Sequence, residues 1–243
     1  MAFVILSGQY SHVITRTRGP EQQCDKGYAM ARLRTSTRTL HNAGIRRVIG
    51  HIYSHKNGRA VPWESQLERD FYYECEFRTD IRAYRPQPRQ LTFWFDGRSA
   101  LYTPDAEVTF DDGTIWYCET KPSAKVVKDD MRQRLRAIER AVSEQGYSFW
   151  LVTDTDLRRG HRPHNLRLLY RYVVWPREED AAAAVAETMM PGTLSPIADV
   201  ATAFRDWALD VGHVYQALFK QTLHCELEAD PINPQTMVWR PAR

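Results

Sequence analysis

Apolar and polar positions alternate most regularly between Tyr102 and Lys121. Val108 and Phe110 interleave there with Glu107 and Thr109, and the run Thr114 to Lys121 is rich in β-branched and aromatic residues. The two runs flank Asp111-Asp112-Gly113, so the stretch predicts a β-hairpin. With a three-residue turn, Phe110 pairs with Thr114 and Asp105 falls opposite Glu119, with β-carbons about 4.5–5.5 Å apart. Lys121 then shares the face of Glu119. A two-residue turn at Asp112-Gly113 puts Asp105 and Glu119 on opposite faces.

The same reading extends along the chain. Trp63, Leu67, Phe71 and Cys75 recur every fourth residue, which predicts a helix over Pro62–Phe77, with Pro62 at its first position. Ser65-Gln-Leu-Glu68 is also a capping-box pattern, which starts the helix at Ser65 instead. Pro86 and Pro88 confine any strand between Asp80 and Leu91 to an edge. Thr92–Phe95 reads as a strand before an Asp96-Gly97-Arg98 turn. A long helix is expected from Pro122-Ser123 to about Gln145, with Val127, Met131, Leu135, Ile138 and Val142 buried and Gly146 as its stop. Tyr147–Thr153 is a short apolar strand. Further helices are expected over Asn165–Trp175, Glu178–Met189, Ile197–Asp206 and Val211–Phe219, then two strands near Leu223–Glu228 and Met237–Trp239. The order is that of an α/β fold with a mixed sheet flanked by helices. The polar stretch Asp154–Pro163 marks a boundary, and the helices with paired strands behind it suggest a small winged-helix-like module.

Charge changes this picture by being unevenly spread. Residues 1–62 hold ten Lys/Arg against two Asp/Glu, residues 63–176 balance at 18 each, and residues 177–243 hold five basic and ten acidic residues. A basic front suits a polyanion such as nucleic acid, and an acidic rear suits a protein. Residues 1–60 therefore read as a basic arm along a nucleic-acid backbone, or as a solvated basic surface. No apolar run approaches a membrane span, and the start MAFVILSGQY lacks the basic flank of a signal peptide. The four cysteines are scattered with no CxxC pair, so zinc is not suggested.

Opposed carboxylates at 105 and 119 repel unless a cation lies between them. A hard divalent cation takes carboxylate and phosphate oxygens, and a lysine beside it binds phosphate or orients water. The plain alternative is a solvated polar face with an exposed ion pair. Glu68 is a third acidic group facing the hairpin, or only the capping-box residue of its helix.

In order, Asn57-Gly-Arg59, Trp63-Glu-Ser65, Leu67-Glu68-Arg-Asp70, Gln87-Pro88, Tyr102-Thr-Pro-Asp105 and Glu119-Thr-Lys121-Pro122 resemble the PD-(D/E)xK nuclease superfamily. Within it the chain resembles the TnsA family, the endonuclease subunits of heteromeric TnsABC-type transposases. The likeness covers about residues 43–153, with the C-terminal part matching in outline. It implies a restriction-endonuclease-like nuclease domain over 1–157, including the basic arm, and a winged-helix-like partner-binding domain over 158–243. It implies Mg²⁺, replaceable by Mn²⁺, held by Glu68, Asp105 and Glu119, with Lys121 completing the catalytic set. The implied activity is cleavage of the non-transferred strand at the 5′ ends of a transposon. The implied partners are double-stranded transposon-end DNA, an integrase-type TnsB-like transposase, and an AAA+ TnsC-like ATPase on the C-terminal domain. There is no membrane partner, and the implied location is the bacterial cytoplasm, on the nucleoid when in the complex. Lys56, Asn57, Arg59, Gln87, Lys125, Lys128 and Arg132 are the expected DNA contacts. A stand-alone restriction or repair nuclease and a non-cleaving architectural DNA-binding subunit are the alternatives.

Overall fold

The computed structural model describes residues 48–173 and 189–242, together with positions 183, 186 and 187. Residues 1–47 of the expected basic arm lie outside the described residues, as does most of the alanine-rich helix expected over Glu178–Met189.

At the centre is a four-stranded sheet in the order β3 (Ile81–Pro86), β6 (Ala106–Phe110), β7 (Ile115–Lys121) and β8 (Ser148–Thr153). β3, β6 and β7 are antiparallel and β8 runs parallel to β7, so the sheet is mixed. β3 is an edge strand, as Pro86 requires, and its register shifts between Ile81 and Ala83. The three-residue turn is the one adopted between β6 and β7. Phe110 N–H donates to Thr114 O over 2.9 Å, Gly113 takes a positive φ of 83°, and Ala106 pairs with Cys118.

Alternation along these strands divides the core. Ala106, Val108 and Cys118 belong to a cluster with Leu67, Phe71 and Cys75 of α1 (Gln66–Phe77). Tyr117 belongs to a second cluster with Ile138 and Val142 of α3 (Asp129–Glu144). That cluster also takes Leu91, Phe93 and Tyr102 from the hairpin β4 (Leu91–Phe95) and β5 (Arg98–Tyr102), which turns at Asp96-Gly97 with positive φ at both residues.

Four expectations are corrected. The residues from 50 to 63 are not part of an arm: β1 (Gly50–Ser54) and β2 (Arg59–Trp63) form a hairpin whose Ile52, Val61 and Trp63 are buried in the main core. Its buried Ser54 and the N–H of His55 also donate to the Glu76 carboxylate of α1. The helix does not begin at Pro62, which lies in β2. It begins at Gln66 with Ser65 as N-cap, the Ser65 hydroxyl accepting from Glu68 N–H over 3.1 Å. The helix after Lys121 is broken into α2 (Ser123–Val126) and α3, and Val127 at the break is exposed rather than buried. The strand expected over Leu223–Glu228 is only β10 (His224–Cys225).

The chain continues through α4 (Asp154–Leu157) and α5 (Arg162–Val173) to β9 (Ser195–Pro196), α6 (Ile197–Arg205), α7 (Val211–Phe219), β10 and β11 (Met237–Trp239). β10, β11 and β9 form a small antiparallel sheet in that order. The stretch around residue 157 is crossed by contacts rather than left open. Arg158 and Arg167 reach the buried Asp70 of α1, Arg162 reaches its buried Glu74, and the main core runs from Ile52 to Val238 without interruption. Asn165 ties α5 to the final loop by donating to Leu227 O and Asp230 O and accepting from Ile232 N–H. No helix among the described residues is long and apolar enough to cross a membrane.

Candidate active site

Three elements bring their carboxylates toward one end of the β6–β7 ladder. Glu119 and Lys121 are the alternate residues at the end of β7. Asp105 immediately precedes β6, and the register carried one step past Ala106–Cys118 sets it opposite Glu119. Glu68 lies in the first turn of α1. Half of the expected capping box forms at Glu68. Its backbone N–H is capped by Ser65, while its carboxylate Oε2 accepts from the N–H of Glu64 over 2.8 Å, one residue before the cap.

The electrostatics tie the four together. Burial first, and then the negative charge of Asp105, push the Glu68 carboxyl up to about 7. The same two causes in the same order push Glu119 up to about 7. Burial also raises Asp105, against the pull of Lys121 and of the Thr120 hydrogen bonds. For Lys121, burial opposes the charge, but the carboxylates of Glu119, Asp105 and Glu68 outweigh it and hold the ammonium above its ordinary range. Carboxylates kept close while buried favour binding a cation, because a positive charge removes the repulsion that keeps their protons on. Lys121 Nζ now supplies that charge, ion-paired to Glu119 Oε1.

The remaining oxygens have defined partners. Glu119 Oε2 accepts from the Tyr102 hydroxyl over 2.7 Å. Asp105 Oδ2 accepts from Thr120 N–H over 2.8 Å and from its hydroxyl over 2.9 Å. Its carbonyl accepts from Tyr72 and from Gln87 N–H. Gln87 takes a positive φ of 41°, and its side chain donates to Glu64 Oε1 over 2.7 Å. As the side chains stand, no group of three His, Cys, Asp or Glu among the described residues is arranged to hold a metal ion. The donor set is nonetheless all oxygen and suits a hard divalent cation. Among the described residues, Glu119 Oε1 meets Lys121, and both Thr120 bonds to Asp105 fall on Oδ2 and leave Oδ1 outside them.

The expected DNA contacts divide. Lys125 and Lys128 are exposed at the start of the helical region that follows the site, and Arg132 is half-buried and paired with Asp129. Arg59 lines a shallow cleft with Asn57, Tyr84, Arg85 and Glu107. Asn57 is held by Ser54 Oγ over 2.8 Å. Lys56 is corrected: its ammonium turns inward onto the carbonyls of Arg78 and Ile81, where burial lowers its pKa. It fastens the β1–β2 turn to the end of α1 and is not presented to a phosphate.

Tyr102, Thr120 and Glu64 are contributors without an expected role in the sequence, and Gln87, expected as a DNA contact, donates its side chain to Glu64. Tyr102 and Gln87 stand within the quoted motifs, but nothing in their spacing says where their polar atoms point. No protein-family model matches the chain, and no curated protein matches it.

Proposed function

We propose that this protein is a metal-dependent DNA endonuclease of the restriction-endonuclease-like fold, and that it serves as the strand-cutting subunit of a heteromeric transposase. One observation carries the nuclease reading: Glu68, Asp105, Glu119 and Lys121, drawn from three elements, sit within electrostatic reach of one another at the end of the β6–β7 ladder. Asp105, Glu119 and Glu68 would hold the Mg²⁺. The metal, when bound, supplies Lewis-acid stabilisation of a phosphoryl oxygen and a more acidic bound water. Lys121, released from Glu119, directs its N–H donors at a phosphate oxygen or the attacking water. The positive charge is then kept next to the place where negative charge grows during hydrolysis. Thr120 keeps Asp105 turned toward the ladder through two hydrogen bonds on one oxygen.

The exposed Lys125 and Lys128 support a DNA path beside the site. The net acidity of residues 177–243 supports a protein partner for the C-terminal, winged-helix-like part, which in this reading is the ATPase regulator. The transposase assignment itself rests on the motif resemblance.

The test is nicking of transposon-end DNA with the integrase-type partner and Mg²⁺, comparing wild type with Asp105→Ala. The expected result is loss of 5′-end cleavage with binding retained. Equal cleavage by both would remove Asp105 from the mechanism.

A second reading, a non-cleaving architectural subunit, is favoured by the satisfaction of Glu119 and Asp105 by Tyr102, Lys121 and Thr120. Full transposition by an Asp105→Ala/Lys121→Ala double variant would support it over catalysis.

A further inference from the structure

Tyr102 closes β5, and its ring is buried among Leu91, Phe93, Tyr117, Ile138 and Val142. The Phe93 ring meets it edge-on at 6.3 Å between centroids. The phenol is thus fixed by a hairpin that contributes none of the four residues of the proposed site. Its hydroxyl donates to Glu119 Oε2 over 2.7 Å, and both residues are nearly sealed, at 7 % and 6 % exposure. The other oxygen, Oε1, meets Lys121, whose side chain is 28 % exposed.

The two donors on Glu119 differ in freedom. A packed tyrosine can turn only its hydroxyl hydrogen, whereas a lysine ammonium rides on a flexible four-carbon stem. Any exchange of partners on this carboxylate therefore occurs at Oε1. Without the hydroxyl, Glu119 could rotate and offer both oxygens to Lys121, and a cation would have to displace the lysine from both.

Building on the nuclease reading of the site, we propose that Tyr102 is a positioning residue for Glu119, pinning Oε2 so that Oε1 alone passes between Lys121 and a divalent cation. A merely structural tyrosine would satisfy the same buried oxygen, but its loss would change stability without changing cation affinity.

The experiment uses the full chain as wild type, Tyr102→Phe, Glu119→Gln and the double variant. Mn²⁺ binding is followed by the electron paramagnetic resonance signal of the free ion, without DNA. Cleavage of transposon-end DNA is measured separately with the integrase-type partner. Tyr102→Phe keeps the buried ring, and a thermal melt verifies folding. The expected result is an Mn²⁺ affinity weakened about tenfold. A comparable loss in kcat is expected, with KM for DNA unchanged and no added effect of Tyr102→Phe in the Glu119→Gln background. Wild-type Mn²⁺ affinity in Tyr102→Phe, or an equal loss in both backgrounds, overturns the positioning role and leaves the nuclease reading standing. A wild-type protein that neither binds Mn²⁺ nor cleaves overturns the nuclease reading, and this inference with it.

Discussion

Glu119→Gln isolates the cost of the buried carboxylate. In the native protein this group loses its proton at about 7, whereas an ordinary glutamate, as in the unfolded chain, loses it near 4.5. Between these values the folded state holds the proton more tightly. The native state therefore binds more protons than the unfolded one, and stability falls as pH rises through this window. Below about 4.5 both states are protonated and nothing is lost; above about 7 both are ionised and the loss is complete. Integrating from pH 5.5 to 8 with these two values gives about 2 kcal/mol of stability lost on account of this one group. Gln cannot ionise, yet its carbonyl oxygen can still accept from Tyr102. The Lys121 ion pair forms only with the ionised carboxylate, so its pull is already contained in the value of about 7, and Lys121 itself stays protonated across the range. Urea unfolding of both proteins in metal-free buffer at pH 5.5 and 8 reads the difference. The stability of wild type relative to Glu119→Gln should fall by about 2 kcal/mol between the two pH values, or roughly 4–8 °C in a thermal melt. Parallel pH dependences in the two proteins would show that Glu119 ionises normally and would refute the buried-repulsion account of the site.

Lys121→Ala should lower cleavage by at least about a hundredfold while leaving DNA affinity within about twofold, since the lysine acts at the reacting phosphate; single-turnover kinetics and a filter-binding isotherm separate the two effects. Asp70→Ala leaves Arg69, Arg158 and Arg167 without their shared carboxylate. Breaking a buried pair costs about 3–5 kcal/mol, but these arginines are 25–42 % exposed and regain water, so about 2 kcal/mol is expected in urea unfolding. Gly160→Ala should destabilise the junction before α5 by roughly 1–3 kcal/mol from its left-handed backbone alone. Its φ is 49°, and a β-carbon there would lie 2.0 Å from Glu228 O, so hydrogen exchange at His161, which donates to that same oxygen, should accelerate.

Much of the fold is legible in short-range pattern. The Asp111-Asp112-Gly113 turn sets the β6–β7 register, because Gly113 supplies the positive φ that a three-residue turn requires, and that register carries Asp105 to Glu119. Pro86 marks the edge strand, Gly146 ends α3 at a φ of 81°, and the apolar stripe of α1 names its buried face. The hairpin 50–63 was not legible. Lys56, Asn57 and Arg59 at its turn read as part of a basic arm, while Ile52, Val61 and Trp63 bury it in the main core and Ser54 bonds Glu76 of α1. Lys56 misleads for the same reason, since a lysine in a basic run gives no sign that two carbonyls wait for it behind the turn.

Local periodicity and turn chemistry thus determine which residues share a face, because the backbone repeats within each element and between hairpin neighbours. They do not determine which side chains meet across elements far apart in the chain. Tyr102 reaches Glu119 because the β4–β5 hairpin packs over Tyr117 and α3, and Arg158 and Arg162 reach Asp70 and Glu74 because α4 and α5 lie against α1. Those contacts depend on how whole layers come together, as do the burial and mutual repulsion that carry Glu68 and Glu119 up to about 7. Only the assembled core excludes enough water to make them.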